Sequence, residues 1–264
     1  MNGNRVLLAA HRGDLKKCPE NTMSAFKSAL AMGVDMIETD IHMTADGEII
    51  IMHDRNALRT AGVDRFITDM TLEEVRQLDA GSWFGPEFAG TQVPTVREFL
   101  AWVKDTNLLV NWELKDYPQD VGDAHAFECV DKLVALIAEY GMAERSMVNS
   151  FSNRVLEYIY RKHGHRFPIH GQGIGPCSRH ESLPEVDDCQ MFDWTCMYAN
   201  EKGKSPVDYP ENFEFCLQNG VIPCVCIPDT RENYEKALRY GCKMFTSNNI
   251  YEADRLLKEL GVRA

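Results

Sequence analysis

The sequence predicts an α/β protein, a (β/α)8 TIM barrel with a small insertion after the second strand region. Three observations predict it. Eight short runs of β-branched and apolar residues alternate with helix-length segments whose apolar residues recur three and four apart. The length of 264 residues suits one such barrel. No linker, repeat or low-complexity tract divides the chain, so residues 1–264 read as one domain. An open doubly wound sheet is the competing architecture, which periodicity alone does not exclude.

The expected strands are 5–10, 35–41, 108–113, 146–149, 167–170, 191–194, 221–226 and 243–246. The first helix spans 21–32, capped by Asn21 or a neighbour and stopped by Gly33. Between Ile41 and Leu108 lies enough chain for about two units. It holds a hairpin-like turn at 45–48, the apolar run 49–52 and a Pro/Gly/aromatic stretch at 81–86, so residues 54–91 read as an insertion on the rim. The helix at 123–140 is the clearest, with Phe127, Val130, Val134, Ile137 and Ala138 on one face. Helices at 152–162, 206–219, 230–240 and 250–260 complete the set, the last three stopped by Gly220, Gly241 and Gly261.

The composition is that of a folded protein, 44% hydrophobic and 26% charged. A formal net charge of −12 argues against non-specific nucleic-acid binding, which needs a basic surface, but not against a small phosphate ester in a local pocket. No apolar run is long enough to span a bilayer, and the stretch from Val6 to Ala10 is too short for a signal-peptide core. The nine cysteines are scattered without a Cys-x-x-Cys, so reduced thiols in a cytoplasmic protein are the expectation. Cys224 and Cys226 share one strand face, a faint hint of zinc or redox chemistry.

The residues able to do chemistry fall where strands give out, and in a barrel those ends open onto the active-site face. His11-Arg12-Gly13 follows the first strand: a proton carrier, an oxyanion clamp and a close-approach glycine. Glu38 and Asp40 stand two apart on the second, among Met36, Ile37 and Ile41. Two carboxylates on one apolar face repel and resist desolvation, and a divalent cation with a taste for oxygen would relieve both. His42 shares their parity and would support them from behind. His53-Asp54 ends the next apolar run. Glu113 and Lys115 again face one way, a third oxygen ligand and a phosphate partner, or a plain ion pair. Together they form the inventory for metal-assisted cleavage of a phosphate ester.

These motifs, in this order, resemble the glycerophosphodiester phosphodiesterase family. The resemblance rests on His11-Arg12-Gly13, Pro19-Glu20-Asn21-Thr22, Ala25-Phe26, Gly33-Val34-Asp35, Glu38-Thr39-Asp40, Thr44-Ala45-Asp46-Gly47 and His53-Asp54. It continues through residues 78–84, Val93-Pro94-Thr95, Glu113-Leu114-Lys115 and Ser150-Phe151-Ser152. It is dense over 9–115 and thinner to Phe151. It implies a TIM barrel whose acid/base pair is His11 and His53. It implies Glu38, Asp40 and Glu113 as ligands of one divalent cation, Mg²⁺ or Ca²⁺, with Arg12, Glu20 and Lys115 around phosphate and metal. The implied reaction is hydrolysis of a glycerophosphodiester to glycerol 3-phosphate and an alcohol.

The pattern departs from the family toward the C-terminus. The seventh strand, which in the family usually carries a Trp toward glycerol, ends here in Cys226-Ile227-Pro228-Asp229, and the eighth in Thr246-Ser247-Asn248-Asn249 where an Asp is usual. Both departures bear on recognition of the glycerol half. Three competing readings follow: the same chemistry on a lysophospholipid, on a phosphoinositide-like diester, or a barrel that binds a phosphorylated ligand without turnover. Among lesser candidates, residues 171–176 read as a flexible rim loop, His163 and His165 as exposed helix-end residues, and His170 and Gln172 as distant possibilities for the mouth. Trp83, Phe84 and Phe88 read as a cover for an alcohol group or as a packing nucleus.

Overall fold

The computed structural model describes residues 5–174, 186–199 and 205–264. Among them nine strands make one sheet: β1 (Leu7–His11), β2 (Met36–Met43), β3 (Ile49–Ile51), β4 (Leu109–Leu114), β5 (Ser146–Asn149), β6 (Ile169–Gln172), β7 (Trp194–Tyr198), β8 (Ile222–Cys226) and β9 (Met244–Ser247). Eight pair in parallel in the order β1-β9-β8-β7-β6-β5-β4-β2, and β1 pairs with β2 to close the ring. Helices lie between the parallel strands, so this is a (β/α)8 barrel and not an open sheet. β3 folds back antiparallel on β2, Met43 opposite Ile49. The turn between them is the expected one: Thr44 Oγ1 accepts from the Glu48 amide at 2.9 Å and Gly47 takes φ +82°.

Side-chain alternation along each strand divides the interior in two. Ile37, Ile41 and Met43 of β2 join a large core between sheet and helices that includes Phe26, Phe99 and Trp112. Met36 falls instead in the inner cluster with Ala9, Met147, Cys196, Cys224 and Met244. Glu38 and Asp40 share the parity of Met36, so the pattern that buries Ile37 and Ile41 outside sends both carboxylates inside.

Several boundaries differ from the expectation. The first helix runs Met23–Met32, capped by Thr22, whose hydroxyl accepts from the Ala25 amide, with Asn21 just outside it. The sixth barrel strand begins at Trp194, whereas 191–194 was expected. The apolar Met191 and Phe192 are buried, but Met191 ends a helical turn, Asp188–Met191, that Asp187 caps. The helix expected at 206–219 is a 3₁₀ turn, Pro206–Asp208, and then a helix, Pro210–Gln218. Pro210 lacks an amide hydrogen, so it starts a helix more readily than it continues one. In the helix Asp123–Glu139 the buried face is Ala126, Cys129, Val130, Leu133, Val134 and Ile137. Ala138 is exposed and Phe127 stacks on Tyr158, ring centroids 4.1 Å apart.

Residues 54–91 fold into short turns around a small core of their own, with Ile67, Met70, Val75 and Leu78 packed against Ile50 and Met52 of the barrel side. Asp79 ties the far end by accepting from the amides of Gly81, Ser82 and Gly90. Trp83, Phe84 and Phe88 meet edge to face, with centroids 5.7 and 5.4 Å apart. No helix among the described residues is long and apolar enough to cross a membrane. The eight described cysteines form no disulfide; Cys177 lies outside the described residues, as do Gly175 and Pro176 of the expected rim loop.

Candidate active site

The site begins with a sharp reversal at the end of β1. Arg12 (φ +57°) and Gly13 (φ +91°) are both left-handed. A left-handed arginine is a strained choice that the surroundings must hold, and such residues gather at functional sites. Here the Arg12 amide donates to the Glu38 carbonyl at 3.0 Å and to Glu38 Oε2 at 3.2 Å. Gly13 is required twice over: its φ disfavours a side chain, and a Cβ would sit 2.7 Å from Ala25 Cβ. Gly13→Ala is expected to cost about 1–3 kcal/mol of stability. Urea unfolding of the variant measures it, and an unchanged midpoint and slope would refute the steric account.

Glu38, Asp40 and Glu113 converge on the inner faces of β2 and β4, each at most 6% exposed, and one oxygen of each lies within 4.8 Å of the others. Asp40 is opposite Glu113 in the sheet register, so the pairing of β2 with β4 builds the cluster. Lys115 lies against Glu113 Oε1 and 3.3 Å from Asp40 Oδ1; Arg12 Nε is 3.3 Å from Asp40 Oδ2 and the Asn21 amide donates to that oxygen at 2.8 Å. Burial would push Asp40 up, but Lys115 and Arg12 more than offset it and hold the carboxyl at about 2. Glu38 moves the other way: burial, then repulsion from Asp40 and Glu113, drives its pKa well above the ordinary value. Burial also raises Glu113, against the pull of Lys115. Three carboxylates facing two cationic side chains leave this pocket short of positive charge. Glu38 Oε1, buried with no hydrogen-bond partner, marks the deficit. An all-oxygen donor set with an unsatisfied buried carboxylate oxygen fits a hard divalent cation.

The two histidines flank this cluster with different partners. His11 Nδ1 donates to Asn248 Oδ1 at 2.5 Å, which leaves the lone pair on Nε2, 3.9 Å from Glu38 Oε2. Burial, with Arg12 adding to it, pushes the His11 pKa down to about 4. His53 Nδ1 donates to a carboxylate, Asp54 Oδ1, also at 2.5 Å. Burial lowers His53 as well, against the attraction of Asp40 and the bond to Asp54.

A chain of charges joins the halves of the site. Asp54 Oδ2 accepts from Arg59 Nε at 2.5 Å, Arg59 gives both terminal nitrogens to Glu20 at 2.9 and 2.6 Å, and Glu20 Oε1 also accepts from Arg12 at 3.2 Å. The structure thus gathers His11, Arg12, Glu20, Glu38, Asp40, His53, Glu113 and Lys115. Sequence reasoning missed Arg59, Asn248 as a partner of His11, and the role of Asn21. Arg59 stands on a single helical turn with no motif around it. Asn21 read as a helix cap, but its φ of +56° turns it inward to Asp40 and Thr39. His42, expected to support the carboxylates, has its contacts elsewhere: it lies 2.6 Å from Asp116 Oδ1 and donates through Nε2 to the His53 carbonyl at 3.2 Å.

Asn248 contacts the His11 imidazole, so that departure bears on His11 as well. Cys226 is half-buried at the end of β8, opposite Tyr198 of β7. Beside it the Tyr198 ring lies 6.0 Å from that of Phe151, and Lys115 Nζ is 5.3 Å from the Phe151 centroid. Phe151, 41% exposed, is a large apolar surface at this mouth. His170 is buried inside the barrel, short of the mouth, and Gln172 donates to Asn149 at 2.7 Å. Of the helix-end histidines, His165 pairs with Asp193 at 3.0 Å, while burial lowers the pKa of His163 and works against a charged cap.

A sequence model of the glycerophosphoryl diester phosphodiesterase family matches residues 11–193, a span that contains all eight of these residues. A glycerophosphodiester phosphodiesterase of Caldanaerobacter subterraneus is 33% identical over 241 residues, covering 90% of this chain and 91% of that protein. Among solved structures, an Oleispira antarctica phosphodiesterase in complex with the product sn-glycerol-3-phosphate superposes with a TM-score of 0.79 at 19% identity, over 96% of each chain. A glycerophosphodiester phosphodiesterase from Agrobacterium tumefaciens gives 0.73 at 21%, over 93% of this chain and 97% of that one.

Proposed function

The chain belongs to the glycerophosphoryl diester phosphodiesterase family, and on that premise we propose how its residues divide the hydrolysis of a glycerophosphodiester to glycerol 3-phosphate and an alcohol. It is a phosphoric diester hydrolase. The observation that carries the division is the difference in histidine partners, an amide for His11 and a carboxylate for His53. Acid and base roles follow environments that push two titratable groups apart.

His11, neutral and with its lone pair on Nε2, is the base that takes the proton from the attacking hydroxyl. His53, backed by Asp54, is the acid that protonates the leaving alkoxide. Arg12 and Lys115 bind the phosphate oxygens and hold the charge that develops on them. Glu20 spends its oxygens on Arg12 and Arg59, which fixes the Arg12 guanidinium. Glu38, Asp40 and Glu113 would hold one Mg²⁺ or Ca²⁺, which when bound supplies Lewis-acid stabilisation of the phosphate charge. We further read residues 1–264 as one catalytic domain with 54–91 as its rim insertion, acting in the cytoplasm.

Asn248→Asp tests the base. A carboxylate beside imidazolium favours the charged form, so the His11 pKa rises. The base must be neutral, so the acidic limb of the kcat/KM profile should move to higher pH. A limb that stays in place would remove His11 from that role.

The apolar wall for the glycerol half is read as Phe151 with Tyr198, since Cys226 is too small to supply one. Phe151→Ala is expected to raise KM for glycerophosphocholine about tenfold with a smaller change in kcat, the cost of roughly one lost apolar contact surface. Cys226→Trp should improve kcat/KM for glycerophosphocholine relative to a diester bulkier on the glycerol side. If Cys226→Trp only damages turnover and Phe151→Ala changes nothing, the wall lies elsewhere.

A further inference from the structure

Inside the barrel lies a second cluster that this hydrolysis does not use. His170 on β6, Cys196 on β7 and Cys224 on β8 are all buried, and one ligand atom from each lies within 4.8 Å of the others. The sheet register builds it, with Cys196 directly opposite Cys224 on the neighbouring strand. Residues two apart share a face, so Cys226 continues the line of thiols toward the mouth.

We propose that His170, Cys196 and Cys224 form a three-ligand binding site for a thiophilic divalent cation such as Zn²⁺. Two sulfurs and an imidazole nitrogen are the donor set zinc selects, and they are poor ligands for Mg²⁺ or Ca²⁺. The all-oxygen cluster of Glu38, Asp40 and Glu113 has the opposite preference, so the two sites sort ions by chemistry. His170 Nε2 is 3.1 Å from Cys224 Sγ. Two ligands of one tetrahedral zinc, with bonds of about 2.0–2.3 Å, stand roughly 3.5 Å apart, so a small outward shift admits the ion.

The surroundings supply what a ligating histidine needs. His170 Nδ1 lies 3.1 Å from the Asn111 side-chain amide, and Asn111 Oδ1 is buried with no hydrogen-bond partner. A half-turn of that amide gives Nδ1–H an acceptor and frees the Nε2 lone pair, the arrangement that orients metal-bound imidazoles. As each sulfur–metal bond forms, its thiol gives one proton to solvent. A divalent cation and two thiols become a neutral bis-thiolate and two released protons, with no electron transferred.

Without an ion the same groups satisfy one another. Asn111 donates to His170 Nδ1, His170 Nε2–H to Cys224 Sγ, and the Cys224 S–H to the Thr195 carbonyl at 3.2 Å. The test must therefore separate a metal site from a closed thiol network.

The full chain, reduced and stripped of metal, is loaded with excess Mg²⁺ to fill the carboxylates and then titrated with Co²⁺ and Zn²⁺. The expected result is one equivalent of Co²⁺ with a thiolate-to-metal charge-transfer band and the intense visible bands of tetrahedral cobalt. Zn²⁺ should displace it and raise Tm. Glu38→Gln should keep the band and Cys196→Ala/Cys224→Ala should lose it. Absence of the band in folded, reduced wild-type protein overturns the proposal, a measurement that needs no variant to fold. So does a band that survives in the double cysteine variant or vanishes in Glu38→Gln.

Discussion

Alanine in place of His11 or His53 is expected to lower kcat by about 10²–10⁴-fold, the usual worth of a positioned acid or base. Neither ring is part of the large core between sheet and helices, so both variants should fold. The two losses should differ with the leaving group. A nitrophenyl diester leaves without help, so His53→Ala should recover much of its activity there, whereas His11→Ala should stay impaired on both substrates. Equal losses on glycerophosphocholine and the nitrophenyl diester in both variants would refute the division of roles.

The second large effect concerns the carboxylates. Glu38→Gln and Asp40→Asn should each lower turnover by orders of magnitude at ordinary Mg²⁺ concentrations, because each removes a ligand and a charge from the cation pocket. The metal-free protein gives a signature of the opposite sign. Burial and two neighbouring carboxylates raise the Glu38 pKa in the fold above its unfolded value. A raised carboxyl pKa costs stability as pH climbs through and beyond the unfolded value, because the unfolded chain ionises more easily. Metal-free Glu38→Gln should therefore melt higher than metal-free wild type at neutral pH, and gain less on adding Mg²⁺ or Ca²⁺. A variant that melts lower without metal, or gains as much with it, would mean that Glu38 is not strained by its neighbours.

The sequence was most informative where a single strand decides the outcome. Glu38 and Asp40 among Met36, Ile37 and Ile41 already implied two buried carboxylates on one face, and the parity of β2 delivers them inside. Glu113 and Lys115 were legible for the same reason. What needed the fold were contacts between segments far apart in the chain. Asn248 reaches His11 across 237 positions, because β9 closes the ring beside β1. Arg59 meets Glu20 only because the turns after β3 fold back over the mouth. The misplaced sixth strand has a local cause, since Met191 and Phe192 are apolar and buried whether helix or strand carries them. Cys224 and Cys226 gave only a faint sequence signal because the partners of Cys224, namely Cys196 and His170, stand on other strands.

Incubation with glycerophosphocholine, with products identified, tests the central claim most directly. The account predicts sn-glycerol 3-phosphate and choline in the presence of Mg²⁺ or Ca²⁺, formation that stops on chelation and resumes when the cation is restored. Glycerol and phosphocholine, or turnover undiminished in excess chelator, would contradict it.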